Sequence, residues 1–278
     1  MRFGFQISIQ GGFKKVVPRA LELGCKTIQI FSRNPRSWQA KPLDEEDCQL
    51  FKKNINQSGI SPVFVHTPYL INLASGVRNI FIKSVSAICE DLKRTEKLGA
   101  KFLILHVGKA INTSRREAMI QIANALDECF KRVQNNVILL LENTAGQGHE
   151  IGFSFDEIGE IINLVQNKDR IRVCLDTAHA YAAGYDLKNK LDEVLKEFDR
   201  LIGLQKLVLL HLNDSRVPLG SRLDRHWHIG QGEIGFDGFK RLVNHELLKN
   251  LPGIMETPRK SVEDDKLNMQ TVLSLVEY

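Results

Sequence analysis

The chain has 278 residues, 43% of them hydrophobic and 26% charged, with 38 Lys and Arg against 33 Asp and Glu for a formal charge of +5. That balance belongs to an ordinary globular chain: no apolar run is long enough to cross a bilayer, and the mild basicity suits a polyanionic partner without requiring one. The opening MRFGFQIS lacks a basic segment leading into an apolar stretch, and Cys25, Cys48, Cys89, Cys129 and Cys174 are odd in number and form no CxxC pair. We therefore expect a cytoplasmic protein without a secretory signal, a disulfide framework or a thiolate zinc finger.

In chain order, continuous or alternating apolar runs predict strands near residues 3–9, 27–32, 62–67, 102–108, 137–143, 171–176, 207–213 and 253–257. Between them, apolar residues three and four apart predict helices over 77–100, 114–134 and 154–167. Ser114 and Ser154 stand where N-caps belong, each with a Glu three residues on, Glu117 and Glu157. Strand then helix, repeated with Val/Ile/Leu-rich strands, predicts an α/β fold: a (β/α)8 TIM-type barrel that takes in residues 1–278 as one domain. The only long stretch without periodicity is NDSRVPLGSRLDRHWHIGQGEIG at 213–235, and loops of that length are often functional.

The strands end in a pattern. VFVHT, LILHVG, ILLLENT, RVCLDTAH, LVLLHLND and GIMETP each run from β-favouring apolar residues to an imidazole or a carboxylate. In a barrel the carboxyl ends of all strands open on one face, so His66, His106, Glu142, Asp176, His179, His211 and Glu256 converge there, with Asp224 and His226 reaching in from the long loop. Burying so many ionisable groups together is costly unless cations neutralise them, so a metal site is the expected reason. Imidazole and carboxylate without thiolate suit zinc, manganese or iron, and the donors outnumber what one ion uses. Asp224 and His226, two apart in an extended segment, point the same way and can share an ion; Asp176 and His179, three apart, are expected to diverge. His149 and His245 lie away from strand ends and read as surface residues, while His228, two residues beyond His226, is an alternative ligand.

Assembled in this way, the chain resembles endonuclease IV, the zinc-dependent family of apurinic/apyrimidinic endonucleases also called AP endonuclease family 2. The resemblance runs nearly end to end and rests on LENTAGQG at 141–148, CLDTAHAYAAGYD at 174–186, HLNDS at 211–215 and SRLDRHWHIGQGEIG at 221–235, with HTPYLINLA at 66–74 and NPRSW at 34–38 in support. It implies three divalent ions, zinc foremost, with manganese or iron at one or more positions. His66, His106 and Glu142 would hold the first, Glu142, Asp176, His211 and Glu256 the second, and His179, Asp224 and His226 the third. Gln6, where family members often carry a His, together with Trp227, His228 and Gln231, departs from the pattern without removing a ligand.

The resemblance implies a DNA-repair hydrolase, of the phage-T4-induced deoxyribonuclease IV type, that cuts the phosphodiester bond 5′ of an abasic site and leaves a 3′-hydroxyl and a 5′-deoxyribose phosphate. It also implies a 3′-end-cleaning phosphodiesterase. Such hydrolysis needs a nucleophile, charge neutralisation and leaving-group stabilisation, all of which clustered divalent ions supply, with Glu142 or Glu256 as the carboxylate that positions or deprotonates the water. Reaching an extrahelical sugar means bending the duplex and filling the gap. By resemblance Arg36, Tyr69 and Leu70 enter the minor groove, while Arg33, Arg36, Arg222 and Arg225 are candidate phosphate contacts. The expected partner is duplex DNA with abasic sites or blocked 3′ ends, bound by a monomer, with no membrane involved. The rival is a metal-dependent sugar isomerase or epimerase on the same barrel, for which two ions suffice; a DNA-binding protein without catalysis would leave the ligand set idle.

Overall fold

The computed structural model describes residues 1–277. Eight parallel strands close into a barrel. In chain order they are β1 (Arg2–Ile7), β2 (Ile28–Phe31), β3 (Val63–His66), β4 (Phe102–Leu105), β5 (Ile138–Glu142), β6 (Ile171–Asp176), β7 (Leu207–His211) and, after a two-stranded insert of β8 (Asp214–Ser215) and β9 (His226–Trp227), β10 (Pro252–Met255). Each strand pairs with its sequence neighbours, and β10 closes the ring onto β1 and β7. The eight predicted strands are all present. Most stop short of the predicted C-terminal limits, because the chain there leaves the ladder to bend over the mouth.

The barrel interior explains why the predicted ligands lie where they do. Phe64, Ile104, Leu140, Cys174, Leu209 and Ile254, from β3, β4, β5, β6, β7 and β10, form one fully buried cluster separate from the larger core between strands and helices. Side chains alternate along a strand, so a residue two positions on faces the same side. Two residues beyond these six stand His66, His106, Glu142, Asp176, His211 and Glu256. The apolar layer is thus the floor of the site, and its register aims the polar residues inward. A Phe64→Ala substitution in that floor is expected to cost ~3–5 kcal/mol, read as lost unfolding free energy in urea. A loss below about 1 kcal/mol would show that the layer is not close-packed.

Outside the barrel run α1 (Val16–Glu22), α2 (Glu45–Ser58), α3 (Arg78–Lys97), α4 (Arg115–Arg132), α5 (Phe155–Leu164), α6 (Thr177–Ala183), α7 (Leu191–Leu201), α8 (Gly235–Asn244) and α9 (Val262–Ser274). At α4 the predicted capping box is complete: Ser114 accepts from the Glu117 N–H and Glu117 returns a bond to the Ser114 backbone. At α5 only half forms. Ser154 caps the Glu157 N–H, but the Glu157 carboxylate turns instead to Arg115 at 2.6 Å and the Gly152 N–H at 2.8 Å.

The long loop that shows no periodicity is nevertheless ordered by its own hairpin, in which Asp214 pairs with Trp227 and Ser215 with His226. The buried Asp214 carboxylate accepts N–H bonds from Ser215, Gly232, Ile234 and Gly235 at 2.8–3.4 Å. A Cβ at Gly232 would lie 2.3 Å from the Ser215 carbonyl, so this glycine serves the loop's internal packing. All five cysteines are free and buried. No helix among the described residues is long and apolar enough to cross a membrane.

Candidate metal centre

The nine predicted ligands come together at the carboxyl ends of the strands. Glu142, at the end of β5, is the hub. Its Oε2 lies 3.1 Å from both His66 Nε2 and His106 Nε2, and its Oε1 lies 2.8 Å from His211 Nδ1. Around His211 Nδ1 gather Glu256 Oε2 at 3.4 Å and Asp176 Oδ2 at 3.8 Å. A third group forms where His179 Nε2 and His226 Nε2 stand 3.2 Å apart, with Asp224 Oδ1 at 3.4 and 3.5 Å from them. His66, His106 and Glu142 therefore make one set of donors able to hold an ion, and Glu142, Asp176, His211 and Glu256 make a second.

Asp224 and His226 share a group, as their offset predicts. Asp176 and His179, expected to part, do not separate fully: Asp176 Oδ2 lies 3.6 Å from His226 Nε2, and Asp176, His179 and His226 also form a possible ligand set. The cause is local. Asp176 is the N-cap of α6, its Oδ1 accepts the His179 N–H at 2.8 Å, and the turn folds the two side chains back toward each other.

Several of the inward-facing donors are held from behind. His66 Nδ1 donates to the Thr67 carbonyl at 2.7 Å, His179 Nδ1 to the Asn143 carbonyl at 3.0 Å and His226 Nδ1 to the Glu256 carbonyl at 3.2 Å, which turns each Nε2 toward the site. Asn213 donates to Asp176 Oδ2 at 2.7 Å and accepts the Glu256 N–H at 2.8 Å. Gln29 of β2 joins His211 and Glu256. Imidazoles locked in this way, with carboxylates that remain close despite like charge, are what a divalent-ion site requires, so the donor set fits zinc, manganese or iron.

The electrostatics agree. Burial opposes charge on His211, yet Cys174, Glu142 and Glu256 outweigh it and hold the imidazole well above its ordinary value. Burial likewise opposes His179, and Asp176, Asp224 and Glu142 raise it well above the ordinary value. For Glu142 burial favours the neutral acid, but His106, His211 and His66 keep it well below the usual carboxylate range. Glu256 and Asp224 are also depressed against burial, by His211 and His179 respectively.

Without bound cations these shifts make the stability of the fold depend on pH. The raised histidines stabilise it below the unfolded imidazole value and lose that contribution as pH rises through their folded values. The depressed carboxylates stabilise it above the unfolded carboxylate value and lose it as pH falls through theirs. Cations and protons compete for His179 and His211, so zinc binding near neutral pH should release protons. Calorimetric titration in two buffers of different ionisation heat measures this. Identical apparent enthalpies would contradict it.

Other predicted residues fare unevenly. Tyr69 is 68% exposed and packs edge-on against Phe31, and with Leu70 it lines a cavity of about 710 Å³ shared with His66, His106 and Glu256. The Tyr69 N–H bonds the Pro35 carbonyl, which ties its loop to the one bearing exposed Arg36. Arg222 and Arg225 are exposed, and the Arg222 guanidinium stacks 4.5 Å from the Phe153 ring centre.

Arg33 is not available to phosphate. It is buried in a two-pronged pair with Asp91, at 2.9 Å for each bond. His228 is not an alternative ligand either, because its Nδ1 accepts from Asn268 at 3.0 Å. Trp227 pairs within the hairpin and carries the Arg216 guanidinium on its ring, while Gln6 lines the cavity. His149 is exposed, and His245 bonds Asp192. Sequence reasoning missed Gln29, Asn143 and Asn213. The available signal was a lone polar residue set in or just after an apolar strand.

Residues 17–275 match the family described as the xylose isomerase-like TIM barrel. A probable endonuclease 4 of Halothermothrix orenii is 42% identical over 275 residues, 98% of this chain and 99% of that protein. Another from Methanosphaerula palustris is 43% identical over 280 residues, 99% of this chain and 98% of that protein. The crystal structure of endonuclease IV from Thermus thermophilus is 34% identical with a TM-score of 0.90, covering 99% of this chain and 98% of that one. A D-tagatose 3-epimerase-like protein, 15% identical with a TM-score of 0.74 and covering 99% of this chain and 97% of that one, shares the fold alone. Together, the full-length sequence identity and the barrel superposition place this chain in the endonuclease IV family.

Proposed function

We propose that the chain is a DNA-repair endonuclease that hydrolyses the phosphodiester bond 5′ of abasic sites in duplex DNA, leaving a 3′-hydroxyl and a 5′-deoxyribose phosphate, and that it also cleans blocked 3′ ends. It acts as a cytoplasmic monomer, with residues 1–278 as one catalytic domain. The observation that carries this reading is the convergence of three donor groups on a cavity whose rim presents an exposed Tyr69. His66, His106 and Glu142 would hold one ion, Glu142, Asp176, His211 and Glu256 a second, and His179, Asp224 and His226 a third, zinc foremost with manganese or iron at some positions. Such ions, when bound, supply a water nucleophile at neutral pH, neutralise the phosphate and stabilise the leaving 3′ oxygen.

The chain's own residues divide the remaining work. Glu142 is fully buried with both oxygens engaged by imidazoles, so it has no lone pair directed at substrate. Glu256, whose side chain is 21% exposed and lines the cavity, is the carboxylate placed to orient the attacking water and take its proton. Tyr69 and Leu70 fill the gap left by the extruded sugar, and Arg36, Arg222 and Arg225 meet backbone phosphates.

The test is incision of a duplex carrying one abasic analogue. A cut on the 5′ side ending in a 3′-hydroxyl is expected from zinc-loaded protein. An intact duplex, alongside turnover of open-chain sugars, would move the assignment to the isomerase rival. Tyr69→Ala should weaken binding to the abasic duplex by about 10- to 100-fold, the worth of one aromatic stacking contact. Removing Arg222 or Arg225 should each flatten the plot of log affinity against log salt by about 0.9. An unchanged salt slope would exclude that arginine from phosphate contact.

A further inference from the structure

Gln29 sits on β2, a barrel strand that supplies none of the predicted ligands. It pairs in register with Gln6 of β1 and Phe64 of β3, and it is fully buried within the strand IQIF. A primary amide in such a place is costly unless both its ends are bonded. Both are: Nε2 lies 2.6 Å from Glu256 Oε1, and Oε1 lies 2.7 Å from His211 Nε2.

The direction of these bonds is forced. An ionised carboxylate only accepts, so the amide NH2 must face Glu256. The amide oxygen therefore faces His211, and a carbonyl oxygen also only accepts, so His211 Nε2 must carry hydrogen. That leaves His211 Nδ1 as the nitrogen turned toward Glu142, Glu256 and Asp176, where a bound cation would replace the proton that Nδ1 shares with Glu142 Oε1 at 2.8 Å. His66, His179 and His226 are arranged the opposite way, with Nδ1 bonded to backbone carbonyls and Nε2 turned inward.

Resting on the metal-centre reading above, we infer that Gln29 is a positioning residue that sets the Nε2–H tautomer of His211 and aims Glu256, through one amide bonded to both. Two of the four donors in the second group thus depend on a side chain that touches no ion. The Glu256 oxygen that Gln29 holds is Oε1, so Oε2 is the one left toward the site. Loss of Gln29 should fall on the second group and spare the third, whose two imidazoles are braced by backbone carbonyls, and it should reach the first only through the shared Glu142.

Two variants separate its two bonds. Gln29→Leu is similar in size and makes neither bond. Gln29→Glu keeps an acceptor for His211 but withdraws the donor from Glu256 and sets a like charge beside it. In chelator competition the parent should hold three zinc ions, and each variant should hold one of them about 10- to 100-fold more weakly, the usual effect of removing a ligand's hydrogen-bond partner.

The imidazole nitrogens of the zinc-loaded protein, read by long-range proton–nitrogen NMR, supply a signature that mere structural support would not give. His211 should be protonated at Nε2, and His66, His179 and His226 at Nδ1. The Nε2 proton should persist in Gln29→Glu and exchange faster with water in Gln29→Leu. Parent zinc affinities in both variants, or a His211 proton on Nδ1 in the zinc-loaded parent, overturn the inference while leaving three bound ions intact. A parent that binds no zinc removes the metal reading itself and the inference with it.

Discussion

Glu142→Gln should reduce incision of an abasic duplex by on the order of 100- to 10,000-fold, which corresponds to the roughly 3–5 kcal/mol lost when one partner of a buried ionic network is removed. Glu142 is the only residue found in both the first and second donor groups, and it approaches three imidazoles at 2.8–3.1 Å. The amide keeps the volume of the carboxylate but removes its charge and offers an NH2 to at least one ring nitrogen that should present a lone pair. His66, His106 and His211 would then face a neutral group, and two ions should bind weakly while the third position, built on His179, Asp224 and His226, keeps its affinity. Metal analysis together with incision kinetics checks this. A variant with three tightly bound ions and ordinary turnover would remove Glu142 from the centre.

Withdrawal of metal should cost the fold a large part of its stability. An ion present at roughly 1,000 times its Kd adds about 4.1 kcal/mol to the folded state. At about 2.1 cal/mol/K of unfolding entropy per residue, each kcal/mol raises the Tm of a 278-residue chain by about 1.7 °C, so each filled position should be worth roughly 7 °C. The physical cause is visible around His211, where Glu142, Glu256 and Asp176 turn oxygens toward one imidazole nitrogen. Protons on His211 and His179 offset part of that repulsion, which is why both are raised well above the ordinary imidazole value. Thermal scans with excess zinc and with excess chelator measure the difference. Coincident transitions would mean that the cluster is stable without cations.

The barrel and its candidate ligands were legible because one rule governs both. Period-2 alternation that buries Phe64 or Leu140 also fixes the orientation of His66 and Glu142, so apolar runs ending in donors carry strand, register and site at once. Residues that hold other residues were harder to read. Gln29, Asn143 and Asn213 act through partners 33 to 227 positions away, so a polar residue in or after an apolar strand marks the position but not the bond it makes. Arg33 shows the reverse failure: its place in a basic loop suggested phosphate, but its charge is consumed by Asp91 on α3, 58 residues on. The β8–β9 hairpin escaped because two-residue strands have no periodicity to detect, and its order comes from the buried carboxylate of Asp214.

That carboxylate has a wider consequence. Six of the nine candidate ligands, His66, His106, Glu142, Asp176, His211 and Glu256, end barrel strands or directly follow them, whereas Asp224 and His226 ride on the insert that Asp214 cinches into shape. The centre is therefore of composite construction, a fixed basin with a detachable wall. Shortening the insert while preserving the strands would leave two donor groups standing and dismantle the third, so the reach of this site can be altered by editing one surface excursion without disturbing the cylinder beneath it.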